Sequence, residues 1–124
     1  YDYGWTPELV EKLDMDDLYK FLQFRHSLAQ EETDELEAAV LARDPEEVVD
    51  ALIDQIVIAL GTLQLFDIDD TKAWRAVLKA NLEKNPGIKP GRPNPFGLPD
   101  LVKPEGWTPP SHEGNHGLLS ESND

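Results

Sequence analysis

Apolar and polar positions follow one pattern up to about residue 85 and another beyond it. In the first part, apolar side chains recur every three or four residues, the spacing of helices that bury one face. Beyond it lie eight of the ten prolines and six of the eight glycines, so no helix or central strand is expected there. The pattern predicts an all-α domain of four helices, over residues 7–13, 17–42, 45–65 and 71–84.

Two of these helices carry a recognisable start in the sequence. Thr6 and Asp44 each precede a proline, and an oxygen-bearing cap followed by proline is typical of a helix N-terminus. We therefore expect a helical domain over residues 1–84 and an irregular Pro/Gly-rich tail over residues 85–124. The tail is predicted to pack on this domain or on a neighbouring subunit, with Trp107 as a candidate anchor.

The predicted helix over residues 45–65 is apolar in nearly every direction around its axis. Such a helix has to be covered on most sides, and three further helices of a 14.0 kDa chain do not easily cover it. A second copy of the chain would supply the missing surface, because oligomers bury what a small domain leaves exposed. The sequence therefore predicts a four-helix bundle completed by oligomerisation, as a homodimer or a dimer of dimers.

The composition limits the partners and the compartment. The chain has no cysteine, which excludes disulfide bonds and thiolate metal sites and fits a reducing compartment. A formal net charge of −14 repels nucleic acid and anionic membranes but attracts cations. The first residues lack the features of a signal peptide, and the apolar run over residues 51–66 is interrupted by Asp54 and shorter than a bilayer span. We expect a soluble cytoplasmic protein without a nucleic-acid or membrane partner.

Three glutamates of the second predicted helix lie where apolar side chains are expected. Glu31, Glu32 and Glu35 share an arc of about 100° on the helical wheel with the apolar stripe of that helix. The stripe consists of Phe21, Phe24, Leu28 and Ala39. In contrast, Asp34 and Glu37 point elsewhere, as solvated acids do. A Glu-Glu-x-x-Glu pattern is common on exposed helix faces, so this cluster by itself does not establish a site.

The third predicted helix carries a second acidic cluster. Asp54 lies within its apolar run, with Asp50 one turn earlier and Glu47 in a similar direction. An unpaired carboxylate within an apolar surface has to be protonated, paired with a cation or bound to a metal ion. Two helices that present carboxylates to a shared interior would form an all-oxygen site, which Mg²⁺ or Mn²⁺ prefers. The two clusters together predict a metal site between these helices.

These segments resemble the MazG-like all-α NTP pyrophosphohydrolases of phages and bacteria. That superfamily includes dimeric dUTPases and phosphoribosyl-ATP pyrophosphohydrolases. Glu31-Glu32-x-x-Glu35 resembles its first metal-binding helix, and Asp50-Ala51-Leu52-Ile53-Asp54 resembles its second. Two segments nearer the C-terminus are also similar, Lys79-Ala80-Asn81-Leu82-Glu83-Lys84 and Lys103-Pro104-Glu105-Gly106-Trp107. The resemblance extends over residues 20–110.

The resemblance implies Mg²⁺-dependent hydrolysis of a nucleoside triphosphate to a monophosphate and pyrophosphate, with Mn²⁺ as a substitute. The implied metal ligands are Glu31, Glu32, Glu35, Asp50 and Asp54. Glu31 or Glu32 is the implied base that accepts a proton from water. The family usually has a glutamate three residues before the aspartate, where this chain has Ala51. Asp50 or Glu47 would therefore complete the second cluster.

The same resemblance implies a set of substrate-binding residues, which are Arg25, Lys79, Asn81 and Lys84. The two lysines would neutralise outer phosphates, and Asn81 would hydrogen-bond the substrate. Lysines at a helix C-terminus also complement the helix dipole, which is an equally good explanation from the sequence alone. The base is not identified by these residues, and a deoxynucleoside triphosphate such as dGTP is the candidate substrate.

Three other functions fit parts of the sequence. A phosphoribosyl-ATP pyrophosphohydrolase uses the same metal chemistry on a different nucleotide and is the nearest alternative. A non-enzymatic acidic interaction module fits the negative charge but does not explain acids on an apolar stripe. A di-iron bundle requires Glu-x-x-His pairs that project inward from its helices, and the predicted helices contain none.

Overall fold

The computed structural model describes residues 4–89, 91 and 94–120, and more than half of them are helical. The helices are α1 (Pro7–Val10), α2 (Met15–Ala42), α3 (Pro45–Leu65) and α4 (Asp70–Leu82). Two short strands follow, β1 (Asn85–Gly87) and β2 (Asp100–Val102), and then a 3₁₀ turn at Gly117–Leu119. The predicted all-α class is confirmed. The predicted tail also includes positions 90, 92–93 and 121–124, which lie outside the described residues.

Local caps fix where the first three helices begin. The side chains of Thr6 and Asp44 each accept a hydrogen bond from the backbone amide three residues later, as the sequence predicts. α2 begins two residues earlier than predicted because Asp14 caps it, accepting from the Asp17 amide at 2.8 Å. α2 ends at Ala42, and its C-cap residue Arg43 adopts the left-handed conformation with φ 55°. Since α3 begins at Pro45, α2 and α3 form a helical hairpin.

One compact unit of the chain contains this hairpin and comprises residues 1–70 and 116–124. Its buried hydrophobic core consists of Val10, Leu18, Phe21, Leu65 and Phe66. The 3₁₀ turn also packs on this core, and the Leu118 amide donates a hydrogen bond to the Phe66 carbonyl at 2.7 Å. Gly117 has φ 57°, and a Cβ at this position would overlap that carbonyl oxygen. The turn therefore requires glycine.

The other compact unit comprises residues 71–115. It contains α4 and an antiparallel pair of strands, in which Pro86 lies opposite Leu101. These two strands were not predicted, because strands of three residues are too short to show an alternating pattern. Neither is a central strand, so the expectation for the Pro/Gly-rich segment is not contradicted. The predicted boundary after residue 84 also differs from this division, which groups α4 with the segment that follows it.

α3 leaves a wide apolar surface uncovered within the single chain. Five aliphatic side chains are 41–62% exposed, and we call them the α3 seam: Val49, Leu52, Ile53, Ile56 and Leu60. The whole of α3 is longer than the apolar run over residues 51–66, and by length and composition alone it meets the criterion for a membrane-spanning helix. That criterion is weak, since apolar helices of soluble proteins also meet it. The exposed seam is the feature that needs an explanation.

Candidate functional site

Three side-chain hydrogen bonds establish how α2 and α3 are aligned. The Arg25 guanidinium donates to the Thr62 hydroxyl at 3.0 Å and to the Ile58 carbonyl at 3.1 Å. Further along, the Gln55 amide lies 3.5 Å from the Thr33 hydroxyl. In an antiparallel pair, an advance along α2 corresponds to an equal retreat along α3. This alignment determines which acids of the two helices meet.

The alignment brings the predicted acidic clusters to the same level of the hairpin. Seven residues beyond Arg25, Glu32 lies level with Asp54 of α3, and Glu35 lies level with Asp50. Glu32 and Asp54 are half-buried, whereas Glu35 and Asp50 are more exposed. We call these four residues the carboxylate cluster.

The surroundings within the carboxylate cluster raise the pKa of two of its members, Glu32 and Asp54. The pKa of Glu32 is raised from 4.5 to about 7, first by partial burial and then by a hydrogen bond to Glu35 and the charge of that residue. The charges of Asp54 and Asp50 contribute to the same increase. Partial burial also raises the pKa of Asp54, to which Asp50 contributes by its charge and by a hydrogen bond, and Glu35 by its charge. The helices thus hold negative charges close together at a cost to the protein.

The carboxylate cluster fits a divalent cation in its chemistry. Oε2 of Glu32 is buried and has no hydrogen-bond partner. Buried oxygens normally have one, so this acceptor is free to bind a cation or a water molecule. A divalent cation would satisfy this oxygen and offset the repulsion among the acids. Within the described part of the chain, no three acids or histidines already stand close enough to enclose an ion, so binding requires these side chains to turn inward.

Two other acids considered from the sequence lie outside this cluster. Glu31 and Glu47 are exposed, and neither is among the groups that raise the pKa of Glu32 or Asp54. Of the two candidates for the second cluster, the structure thus brings Asp50 to the site. The roles of Glu31 as ligand and as base stay predictions.

Arg25 has structural contacts that the sequence analysis did not anticipate. It is 7% exposed, and its two hydrogen bonds join α2 to the Thr62 level of α3. The Thr62 hydroxyl in turn donates to the Ile58 carbonyl at 2.7 Å. Two features of the sequence could have indicated this contact: Arg25 lies beside the apolar stripe of α2, and Thr62 is a polar residue within the apolar helix α3. The predicted binding of substrate by Arg25 is not tested by these contacts.

The other predicted substrate-binding residues belong to the unit of residues 71–115. Lys79 and Asn81 lie in the last turn of α4, and Lys84 follows its end. The Lys84 ammonium lies 5.1 Å from the centre of the Trp107 ring. Trp107 also donates a hydrogen bond from Nε1 to the Ala80 carbonyl at 2.8 Å, so it anchors the tail to α4. The substrate roles of Lys79, Asn81 and Lys84 stay predictions.

Comparison with known proteins identifies the reaction class. A family model described as phosphoribosyl-ATP pyrophosphohydrolase matches residues 7–81, more than half of the chain. No curated protein and no solved structure matches significantly. The matched segment contains the whole carboxylate cluster and ends before the tail. The chain therefore belongs to the phosphoribosyl-ATP pyrophosphohydrolase family, within the MazG-like all-α NTP pyrophosphohydrolase superfamily, and is a pyrophosphohydrolase.

Proposed function

We propose that this protein hydrolyses a nucleoside triphosphate, with dGTP as the first candidate, to a nucleoside monophosphate and pyrophosphate in a Mg²⁺-dependent reaction. The observation that supports this proposal is the carboxylate cluster. It holds four acids at one level of the α2–α3 hairpin, with a buried oxygen of Glu32 that lacks a hydrogen-bond partner. Such a site is suited to a cation that carries a polyphosphate.

The residues proposed to hold the cation are Glu32, Glu35, Asp50 and Asp54, with Glu31 as a further ligand. Mg²⁺, or Mn²⁺ in its place, supplies when bound the positive charge that neutralises phosphates and stabilises the transition state. The four side chains would fix the cation from two helices, so that a triphosphate is placed against the hairpin. Without a cation, the same carboxylates repel the substrate.

Glu31 or Glu32 is proposed to accept the proton of the attacking water. The water oxygen forms a bond to the α-phosphorus, the bond from that phosphorus to the bridging oxygen breaks, and pyrophosphate leaves. The proton passes to the glutamate. In the metal-free protein the pKa of Glu32 is raised to about 7. A bound cation would lower this pKa, so that at neutral pH the side chain is ionised and able to accept a proton. Glu31 is the exposed neighbour in the sequence and is the alternative base.

Phosphoribosyl-ATP is the second candidate substrate. The description of the matching family names it, and its hydrolysis releases pyrophosphate from the same kind of bond. The carboxylate cluster would handle the triphosphate group in both cases. The difference between the substrates lies in the base and its substituent, for which the described contacts name no partner.

A screen for pyrophosphate release tests the proposal. The full chain is incubated at pH 7.5 with Mg²⁺ or Mn²⁺ and, separately, with each of the common ribo- and deoxynucleoside triphosphates and phosphoribosyl-ATP. We expect stoichiometric monophosphate and pyrophosphate from at least one of them, and none after chelation by EDTA. Absence of turnover on every nucleotide with both metals would refute the proposal. Release of single phosphates would place the attack at another phosphorus.

We also propose that the protein acts in the cytoplasm and that the α3 seam pairs with the seam of a second copy. Val49, Ile53, Ile56 and Leu60 recur at intervals of four, three and four residues, the spacing of a helix–helix seam. No charged residue lies among the five seam side chains. Their exposed parts sum to on the order of 450 Å² per copy, so a symmetric pair buries about 900 Å², close to the minimum for a specific interface before flanking residues are added.

A further inference from the structure

The negative charge of the chain is not shared by its two units. The segment over residues 71–115 contains seven basic and four acidic side chains, a formal charge of +3. The other unit contains four basic and 21 acidic side chains, a formal charge of −17. An anion is therefore repelled by the unit with the carboxylate cluster unless a cation is bound, and is attracted by the unit of residues 71–115.

Within the basic unit, Trp107 is held in a defined position. Its Nε1 donates to the Ala80 carbonyl at 2.8 Å. The helical partner of that carbonyl would be the Lys84 amide, which instead donates to the Asn81 carbonyl at 3.1 Å. Trp107 thus caps the C-terminus of α4. Its own amide donates to the Pro104 carbonyl at 3.0 Å, closing a turn that contains Gly106 with φ 79°.

The Trp107 ring brings two ammonium groups into the same small region. The Nζ atoms of Lys84 and Lys103 each lie 5.1 Å from the ring centre, and they come from opposite ends of the segment that Trp107 closes. Among the described residues, neither ammonium group forms an ion pair. Lys89, by comparison, lies 3.6 Å from the Asp100 carboxylate. The two nitrogens are therefore no farther apart than twice 5.1 Å, a separation that an anion with several oxygens is able to bridge beside the ring.

A cavity adjoins this arrangement. It has a volume of about 280 Å³ and lies between the last turns of α4 and residues 108–111. Its lining includes the Lys79 side chain and the hydroxyl-bearing residues Thr108 and Ser111, together with the carboxylate of Glu83. It also includes Ala80, whose carbonyl Trp107 caps. A third lysine and two residues with hydroxyl groups therefore border the Trp107 region.

We propose that Lys84, Trp107 and Lys103 form a binding site for pyrophosphate, the product of the proposed reaction. This inference rests on the proposed function for the identity of the anion. It assigns Lys103 and Trp107 to the binding of this product, although they lie outside the segment that the family model matches. The tail thus supplies part of the site, with Trp107 positioning the two ammonium groups.

Binding of inorganic pyrophosphate in the absence of any metal tests the site. The indole N–H signal of Trp107 is assigned by its loss in Trp107→Phe, and the full chain is titrated with pyrophosphate in EDTA at constant ionic strength. We expect this signal to shift with saturation. Lys84→Gln and Lys103→Gln should each weaken binding at least fivefold. Lys89→Gln removes one charge from the same unit and should weaken binding less than twofold.

The outcomes separate this site from the proposed reaction. No saturable shift of the Trp107 signal, or equal losses in Lys103→Gln and Lys89→Gln, overturns the site even if the chain hydrolyses nucleotides. A drop in melting temperature in Lys103→Gln with unchanged pyrophosphate affinity also overturns it, because the lysine then only supports the fold. If the chain binds pyrophosphate specifically but hydrolyses no nucleotide, the binding site is supported and only the proposed hydrolase function is refuted.

Discussion

Asp54 is the residue on which the proposed metal site depends most. It lies within an apolar helix, half-buried and level with Glu32, and its pKa is raised by burial and by Asp50. A leucine would be the more stable choice at such a position, so retention of an acid is most simply explained by binding of a cation. Asp34 of α2, in contrast, is exposed to solvent.

Asp54→Asn should abolish hydrolysis, with a loss of at least about 100-fold in kcat, because it removes a ligand charge at nearly constant volume. The helical circular dichroism should stay that of the wild type. Asp34→Asn is the matched control on α2 and should keep activity within about twofold. Full activity in Asp54→Asn would place the metal site elsewhere.

The stability of the metal-free protein should decrease as the pH rises from 5 to 8. The pKa of Glu32 is raised from its ordinary 4.5 to about 7 in the folded state, so its protonated form favours folding. This contribution is complete below about pH 4.5 and is lost as the pH passes through 7, and Asp54 acts in the same direction. Melting temperatures in EDTA across this range measure the effect.

Glu32→Gln provides the control for this pH dependence. In EDTA at pH 8 it should melt several degrees above the wild type, since the repelling charge is gone. Glu37 is an exposed acid of α2, and in Glu37→Gln the melting temperature should change with pH as it does in the wild type. Saturating Mg²⁺ at pH 8 should raise the melting temperature of the wild type but not that of Glu32→Gln. Identical slopes in the two variants would show that the general acidity of the chain, and not Glu32, causes the trend.

Among the helices, the α2–α3 pair is held by a buried polar contact as well as by apolar packing. Arg25→Ala should cost about 2–4 kcal/mol of unfolding free energy, because it opens a cavity and leaves the Ile58 carbonyl with fewer donors. Urea unfolding measures this. Lys20→Ala removes an exposed cation from the same helix and should cost less than about 0.5 kcal/mol. If Arg25→Lys raises KM without loss of stability, Arg25 contacts substrate.

The C-terminal 3₁₀ turn depends on the absence of a side chain at Gly117. Gly117→Ala should cost more than about 2 kcal/mol, because the new Cβ overlaps the Phe66 carbonyl and the backbone is left-handed. Gly97→Ala tests the backbone effect alone, because Gly97 has φ 68° and an added Cβ would meet no other atom. This substitution should cost about 1 kcal/mol. Gly91→Ala has neither feature and should be neutral within about 0.5 kcal/mol. Equal effects in all three, by urea unfolding, would contradict the overlap.

The helices were predictable because their signals are local. Thr6 and Asp44 act as caps before prolines, and the spacing of apolar residues gave α3 its observed bounds. The strands β1 and β2 were not predictable. Each has three residues, too few for an alternating pattern, and their pairing depends on the path of the loop that joins them. The start of α2 was missed since several aspartates compete for the cap and sequence alone does not rank them.

The carboxylate cluster was predictable in part. The wheel indicates which acids of each helix share a face, but it does not give the alignment of two helices. That alignment depends on Arg25 reaching Thr62 and Ile58, a contact between residues more than 30 positions apart. Once this alignment is known, Asp50 and not Glu47 is the second acid of α3 that lies near Glu32. The hydrogen bond from Trp107 to the Ala80 carbonyl also joins residues that are distant in the sequence, so it was not predictable either.

At the scale of the whole molecule, the two proposed functions of α3 lie on different faces of the helix. One face carries Asp50 and Asp54 of the carboxylate cluster, and the other carries the α3 seam. A second copy on the seam would leave the cluster accessible, because the two faces point in different directions around the helix. Pairing would thus stabilise the helix that holds the acids without covering the substrate.

Ile56→Glu should therefore convert the protein to a monomer, because a symmetric pair would bring two buried glutamates together. Light scattering after size exclusion, at micromolar concentration, measures the mass. Leu41→Glu is the control, since Leu41 is 78% exposed on α2 and outside the seam, and it should keep the wild-type mass. A monomeric wild type contradicts the pairing. A wild-type oligomer that Ile56→Glu does not dissociate, with its helicity intact, moves the interface away from the seam.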